Sequence, residues 1–205
     1  LMAIGAGRKS APAVAAIGRV GGSRTAQILR PGMRLAAFDL VVAPAHDQLS
    51  GANVETTIGA LSHVTPGVAA AAAEPWRRSL GHLPTPRAAV MVGGPSRSAA
   101  FGAKALTALC DGLARLAVDG VGLIVVPSPR TPKGVVDRLA ETLAPLGGAW
   151  VWPRVGANPY PGVLALCDAA VVTADSVSMA SEAAAAGLPV LVSPVDRLDE
   201  KVRRF

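Results

Sequence analysis

The segment Thr173-Ala-Asp-Ser-Val-Ser-Met-Ala-Ser-Glu-Ala-Ala-Ala-Ala-Gly-Leu-Pro-Val190 predicts the end of a buried strand, a polar turn and an alanine-rich helix. Asp175 or Ser176 is placed to cap this helix by accepting a backbone N–H, and Ser178 follows in its first turn. The free N–H groups and the positive end of the helix dipole favour an anion such as a diphosphate. Glu182 lies about one turn further on, where it could accept both hydroxyls of a ribose or simply face solvent as an ordinary helix residue.

The composition is that of a folded protein, since 51% of the 205 residues are hydrophobic and 17% are charged. The net charge of +6 is carried mostly by arginine, which with abundant alanine is typical of a GC-rich bacterial genome and is also compatible with a phosphate-bearing ligand. Aromatic residues make up only 3%, which argues against a stacking surface for nucleic acid. No apolar run reaches the roughly 18 residues that span a bilayer, and no signal-peptide pattern is present. We therefore expect a cytoplasmic bacterial protein without a nucleic-acid partner or a transmembrane segment.

Cysteine and histidine are sparse. The two cysteines, Cys110 and Cys167, lie far apart in predicted helices, and we expect them to be reduced packing residues. Neither they nor the three histidines have the spacing of metal ligands, so we expect no metal site.

Strands and helices alternate along the chain, which predicts an α/β fold with parallel sheets. We expect two Rossmann-like domains. Residues 1–80 form a partial N-terminal domain, and residues 88–205 form a C-terminal nucleotide-binding domain that is truncated at its end. Residues 81–87 are the expected linker, because they lie within the proline-rich stretch 74–87. The chain begins at a strand followed by a glycine turn and ends as a helix opens. These features lead us to expect an internal piece of a longer protein or a short gene model.

A double-glycine turn follows the predicted strand 88–92. Gly93 and Gly94 would allow positive φ and leave room for a ligand to approach the backbone. Ser96 or Ser98 would then cap a helix predicted over 97–117. The spacing matches neither a Walker loop nor Gly-x-Gly-x-x-Gly, but ligands bind outside the carboxyl ends of parallel strands, where this turn is expected.

Two further loops follow the next strands of the second domain. Prolines stiffen the first loop and hold Ser128, Arg130 and Thr131 at a strand end, where the Arg130 fork suits a phosphate; the alternative is a rigid loop with a solvated arginine. In the second loop, Asn158 precedes a proline and is placed to cap a short helix, while Asn158 or Tyr160 could instead contact a base or a ribose.

The first domain offers weaker candidates. A glycine turn brings Arg8, Lys9 and Ser10 to the start of a helix, where they could line the cleft and bind a phosphate or an acceptor. His46 stands beside Asp47 after another strand and is a candidate general base, although such a pair is more often part of a turn. Asn53 is placed to line the same cleft.

Taken in order, these motifs resemble the mitochondrial fission ELM-one family of plants and many proteobacteria. The matching stretches cover nearly the whole chain: 6–10, 38–42, 44–47, 51–54, 93–96, 127–132, 156–160 and 173–179. The resemblance implies a GT-B glycosyltransferase-like fold with parts of both domains absent. Two departures, Ala45 in place of an acid and Pro153 in place of Asp, weaken the case for a preserved catalytic centre.

The sequence is compatible with two functions. The first is an enzyme that transfers a sugar from a nucleoside-diphosphate sugar to an envelope-linked acceptor, with the nucleotide sugar as substrate and no obligatory cofactor. The second is a non-catalytic adaptor that recruits a protein partner to a membrane surface. The resemblance implies it, because the plant members of the family recruit a dynamin-type GTPase to the mitochondrial surface. The location expected in this case is peripheral to the inner face of a membrane. Fold alone does not separate them.

Overall fold

Two parallel sheets organise the chain, which a computed structural model describes over residues 1–205. The two sheets belong to two compact units, residues 1–61 with 204–205 and residues 62–203. The predicted α/β fold with two parallel-sheet domains is confirmed. None of the helices has the length and hydropathy needed to cross a membrane.

The first unit is a four-stranded parallel sheet with one packed helix. Helix α1 buries Ala11, Val14 and Ala15 against Phe38 and Val41, a small core in which only Phe38 is large. The elements are β1 (Met2–Ala6), α1 (Ala11–Gly21), β2 (Arg24–Ile28), β3 (Leu40–Pro44) and β4 (Val54–Thr57), with 3-10 turns at Leu35–Ala37 and Ala45–Asp47; the sheet order is β1-β2-β3-β4.

The second unit contains a five-stranded parallel sheet covered by helices on both faces. Its elements are α2 (Pro66–Leu80), β5 (Arg87–Val92), β6 (Ala99–Ala100), α3 (Ala103–Val118), β7 (Gly122–Pro127), α4 (Lys133–Leu143), a 3-10 turn (Ala144–Leu146), β8 (Ala149–Val151), α5 (Tyr160–Leu164), β9 (Ala169–Thr173), α6 (Val177–Ala185), β10 (Val190–Ser193), β11 (Arg197–Leu198) and α7 (Glu200–Arg203). The sheet order is β10-β9-β5-β7-β8, and β6 pairs with β11 in a separate antiparallel ribbon.

Side-chain alternation along the strands gives this sheet two cores. Val90 points to the face covered by α3 and α4, whereas its neighbour Met91 points to the face covered by α2, α5 and α6. Both strand residues are fully buried, as expected for a parallel strand between helical layers.

The helix predicted over 97–117 is too long at its start. Ala99 and Ala100 pair instead with Leu198 and Arg197, and α3 begins only at Ala103. The predicted capping by Ser96 or Ser98 is therefore wrong, because the residue before the helix is Gly102, whose N–H donates to Asp196 Oδ2.

The proline-rich stretch 74–87 is helical over its first half. Helix α2 runs to Leu80 with Pro75 in its interior, and it buries Ala69 and Leu80 in the same core as Met91. This packing makes α2 part of the second unit, so the compact units divide between Leu61 and Ser62, outside 81–87.

Candidate functional site

The strand order of the second unit reverses at the centre of its sheet. From β5 the chain proceeds to β7 and β8 on one side, while β9 leads to β10 on the other. Helices α3 and α6, which follow β5 and β9, pack on opposite faces. Open α/β sheets bind ligands in a crevice at such a reversal, which here lies at the carboxyl ends of β5 and β9.

Both glycines after β5 are needed for close packing. The Gly93 N–H donates to Thr173 Oγ1 at 2.7 Å, and the Gly94 N–H donates to Asp175 Oδ2 at 2.9 Å. A Cβ atom on Gly93 would collide with the Asp175 carboxylate, and one on Gly94 would collide with the Arg130 carbonyl. Neither glycine is among those with positive φ, so the conformational reason predicted for them is wrong: space, not φ, requires glycine here.

Arg130 connects the loop after β7 to this turn. Its Nη1 donates to the Gly94 carbonyl at 2.8 Å and its Nη2 to Asp175 Oδ2 at 3.2 Å. The Arg130 side chain is 44% exposed, whereas the Asp175 side chain is fully buried. The guanidinium thus faces both the protein and the solvent side of the crevice.

The rest of the loop after β7 is held by hydroxyl and guanidinium groups. Thr131 Oγ1 donates towards the carbonyls of Val92 and Gly93 and lies 3.1 Å from Ser128 Oγ. Arg154 reaches across from the loop after β8 and donates to the Thr131 carbonyl at 2.9 Å. Thr131 is buried, so the structure gives it a role in shaping the loop.

Helix α6 begins at the crevice. Ser176 is its N-cap and accepts the Met179 N–H, as predicted for this position. The N–H groups of Val177 and Ser178 precede the first intrahelical bonds, so they remain available to an anion at the positive end of the helix. Ser178 is exposed beside them. Ser96 is also exposed, in a tight turn where its Oγ accepts the Ser98 N–H.

An apolar cavity of about 240 Å³ opens beside this helix start. It combines aromatic and thioether side chains with two prolines and a few polar groups; its lining residues are Val126, Pro127, Ser128, Pro129, Trp152, Asn158, Tyr160 and Met179. The Trp152 indole N–H donates to the Val155 carbonyl at 3.3 Å, and Asn158 Oδ1 accepts the Tyr160 N–H at 3.0 Å, although the N-cap of α5 is Pro159. These hydrogen bonds orient residues of the cavity wall.

Glu182 projects from α6 towards this cavity wall. The Tyr160 hydroxyl donates to Glu182 Oε2, and the Ser62 hydroxyl donates to Oε1 at 3.4 Å. Burial, together with the bond to Glu182, raises the pKa of the Tyr160 phenol, so the hydroxyl remains a donor at neutral pH. Glu182 is therefore not simply a solvated helix residue.

In the first unit, the glycine turn brings cations to the start of α1. Arg8 and Lys9 are exposed, and the Ser10 hydroxyl donates to the carbonyls of Ala6 and Gly7 rather than capping the helix. Gly7 has φ of 76°, a conformation that glycine adopts without strain.

The remaining first-unit candidates are mostly structural in their contacts. The side chains of His46 and Asp47 are only 7% and 2% exposed, with His46 Nε2 3.8 Å from Asp47 Oδ1. The His46 ring packs edge-on against Phe205 at 5.5 Å between centroids. Asn53 donates from its amide to the carbonyls of Leu35 and Phe38, so both of its amide hydrogens hold the loop before β3.

Sequence reasoning missed several residues of the second unit. Thr173 ends β9 inside the quoted segment, but only the topology reveals that its hydroxyl accepts the Gly93 N–H. Arg154 sits at φ of 61°, which no short motif signals. Met179 could have been found, since it lies one turn before Glu182 on the same helix face. No group of three or more His, Cys, Asp or Glu side chains is arranged to hold a metal ion.

The two Rossmann-like sheets, and the crevice at the strand-order reversal, define an α/β protein of the GT-B type. Among solved structures with this fold is the UDP-GlcNAc 2-epimerase from Methanocaldococcus jannaschii, with a TM-score of 0.60 at 12% identity over 99% of this chain and 68% of that chain. Another is the S. aureus MnaA-UDP co-structure, with a TM-score of 0.58 at 13% identity over 93% of this chain and 57% of that chain. At such identities the likeness concerns the fold alone.

The chain belongs to the mitochondrial fission ELM1 family, whose family model matches residues 1–205. The resemblance found in the sequence is thereby confirmed. A curated relative is Mitochondrial fission protein ELM1 of Arabidopsis thaliana, 29% identical over 230 residues, which cover 100% of this chain and 54% of the relative. The chain therefore spans about half the length of that relative.

Proposed function

We propose that the second unit binds a nucleoside-diphosphate sugar at the strand-order reversal. The observation that carries this proposal is the preformed cavity of about 240 Å³ beside the start of α6. It places an apolar slot for a base next to helix N–H groups suited to a diphosphate. Because MnaA, which shares the fold, was solved with UDP, uridine diphosphate is the first ligand to test.

In this arrangement the base lies between the aromatic walls of the cavity. Trp152 and Tyr160 offer ring faces, and Met179 offers a polarisable thioether. Hydrogen bonds to Val155 and Glu182 already hold the two rings, so little side-chain entropy is lost on binding. Asn158 and Ser128 supply the polar contacts at the rim.

The diphosphate lies at the start of α6, with the Gly93–Gly94 turn below it. The exposed part of the Arg130 guanidinium provides charge-assisted donors to its oxygens. The N–H groups at the start of α6 and the hydroxyl of Ser178 complete the set, with Ser176 fixing the first turn. Glu182, held by Tyr160 and Ser62, retains a free lone pair on each oxygen for the ribose hydroxyls.

For the reaction, we propose glycosyl transfer to an envelope-linked acceptor. The bond between the anomeric carbon and the diphosphate oxygen breaks, and a bond from an acceptor oxygen to that carbon forms. The helix N–H groups and Arg130 stabilise the charge on the leaving diphosphate without an obligatory metal. The acceptor oxygen releases its proton to a base. The His46 imidazole, predicted from the sequence for this role, is only 7% exposed and packs against Phe205, which disfavours it as that base.

Isothermal titration of the protein with UDP, GDP and uridine tests the binding step. We expect saturable UDP binding that Arg130→Gln weakens by about tenfold or more, since a charge-assisted bond is lost. The matched control is Arg138→Gln, an exposed arginine on α4 that should leave UDP affinity unchanged. Absence of binding by either nucleotide would overturn the proposal.

An adaptor function is favoured by a different feature, an apolar groove between α3 and the edge strand β10. Leu191 and Val192 are 57% and 60% exposed there, and Gly112 on α3 leaves the groove open. An adaptor at the inner face of a membrane would use this surface for a protein partner. It predicts that Leu191→Asp abolishes membrane recruitment of that partner, whereas Arg130→Gln does not.

A further inference from the structure

Asp175 stands at the proposed diphosphate site but has no surface on which a ligand could bind. Its side chain is fully buried, and its Oδ2 accepts the Gly94 N–H at 2.9 Å and Arg130 Nη2 at 3.2 Å. Its Oδ1 is buried without a hydrogen-bond partner. A carboxylate next to a diphosphate would repel it if it were exposed, so a buried and paired carboxylate calls for another role.

We propose that Asp175 is a positioning residue: it holds Arg130 and the Gly94 N–H as one unit and does not itself touch the ligand. This inference rests on the proposed function, which assigns the ligand contacts to Arg130 and the start of α6. It also differs from the capping role that the sequence offered to Asp175 or Ser176, since Ser176 is the N-cap of α6.

The packing around Asp175 supports this role. Gly93 has no space for a Cβ because the Asp175 carboxylate occupies it, so the turn and the carboxylate fit only together. A guanidinium has five donors, of which Arg130 uses one on the Gly94 carbonyl and one on Asp175. The remaining donors keep an orientation fixed by those two bonds, and a rigidly held fork binds phosphate with less loss of entropy.

The Arg130–Asp175 pair also balances the charge of the turn. With Asp175 paired to Arg130, the buried carboxylate is compensated, and the N–H groups at the start of α6 add positive character beside Arg130. Removing Asp175 therefore makes the Arg130 side chain more mobile without orienting its guanidinium better towards a diphosphate.

The test compares Asp175→Ala, Asp175→Asn, Arg130→Gln and the double variant Arg130→Gln/Asp175→Ala, by titration with UDP and with uridine. We expect Asp175→Ala to weaken UDP binding by about tenfold and to leave uridine affinity within about twofold, since only the diphosphate contacts change. Asp175→Asn keeps an acceptor for Gly94 and Arg130 and should restore UDP affinity to within about threefold of wild type. The double variant should bind UDP no more weakly than Arg130→Gln, because the two residues act as one unit.

Four outcomes would overturn the inference. They are tighter UDP binding by Asp175→Ala, equal losses for UDP and uridine, failure of Asp175→Asn to restore affinity, and multiplication of the two single losses in the double variant. If Asp175→Ala does not fold, the other two single variants test the inference. Arg130→Gln must then weaken UDP binding, and Asp175→Asn must not.

A nucleotide-independent readout separates this inference from the proposed function. The Gly94 amide should exchange slowly with solvent in the wild type and in Asp175→Asn, and rapidly in Asp175→Ala, because its acceptor is lost. If the wild type binds no nucleotide, the proposed function fails while the Gly94 amide still reports on the role of Asp175. Slow exchange of that amide in Asp175→Ala would show that Asp175 does not hold the turn.

Discussion

Two carboxylates close to the start of α6 differ in exposure and therefore in role. Asp175 is buried against Gly93 and paired with Arg130, whereas Glu182 is part-buried and bonded to the hydroxyls of Tyr160 and Ser62. Only Glu182 retains the accessibility that a ribose contact requires. Residue type alone could not distinguish them, since both follow a strand and lie at or near a helix start.

Replacing Glu182 with alanine should weaken UDP binding and also lower stability. A carboxylate that accepts ribose hydroxyls contributes roughly 1.5–3 kcal/mol, about a ten- to hundredfold change in affinity, and the part-buried Tyr160 hydroxyl that loses its acceptor costs about 1–3 kcal/mol of stability. Titration calorimetry and thermal unfolding measure the two effects. The matched control is Glu141→Ala, an exposed glutamate of α4. Unchanged UDP affinity in Glu182→Ala would remove Glu182 from the site.

The Cys167 thiol should make stability fall at alkaline pH. Burial, with the negative charge of Asp168, raises the pKa of this thiol from 9.0 to about 12. The folded state then holds its proton where the unfolded state releases it, so this contribution is fully present below pH 9 and is lost between pH 9 and 12. Urea unfolding across this window should show a shallower pH dependence for Cys167→Ala than for the wild type; identical slopes would contradict the assignment.

At the scale of elements, the sequence predicts the strands well and the short or composite elements poorly. Valine-rich runs such as 169–173 mark strands buried on both faces, and β9 spans those same residues. The two-residue strands β6 and β11 carry no periodicity, and they form only because distant parts of the chain meet. Helix α2 contains Pro75, which normally argues against a helix interior, but burial of its alanine face outweighs that cost.

The candidate site can likewise be predicted only in part from the sequence. Turns after strands could be located from the sequence, and the structure places Gly93, Gly94, Arg130, Asp175 and Ser176 at the ends of neighbouring strands. Which of them pack and which face a ligand depends on contacts across the sheet, which no local pattern encodes. The buried Thr131 and Asp175 illustrate this limit.

The double-glycine turn should tolerate no added methyl group. A Cβ on Gly94 would collide with the backbone of Arg130, so Gly94→Ala should cost about 1–3 kcal/mol of stability and also weaken UDP binding. Gly112→Ala is the matched control: nothing lies within 4 Å of its Cβ, and it sits inside α3, so it should stabilise by roughly 1 kcal/mol. Urea unfolding of both variants measures this, and a Gly94→Ala protein as stable as wild type would contradict the packing argument.

At the scale of the whole molecule, the two units differ in the cores that hold them. The first unit relies on a small cluster around Ala11, Val14 and Phe38, and Met2 and Ile4 on β1 are 64% and 63% exposed. The second unit has a core on each face of its sheet, with strands such as β5 almost entirely buried.

Hydrogen exchange should reflect this difference, because protection depends on the apolar contacts that must open. Amides of β1 to β4 should lose protection before those of β5, β7 and β9. Mass spectrometry of peptides from the intact chain measures both sets together. Equal, strong protection in both units would show that the smaller core is not the limiting feature.

The proposed nucleotide binding requires that the cavity beside α6 receives the base of a nucleoside diphosphate. NMR titration with UDP tests it most directly, using the Trp152 indole N–H and the Met179 methyl, which line the cavity, and the Trp76 indole, which does not, as the internal reference. We expect saturable shifts of the Trp152 and Met179 signals with little change at Trp76. A saturable UDP effect that leaves Trp152 and Met179 unchanged, or no effect at millimolar UDP, would contradict it.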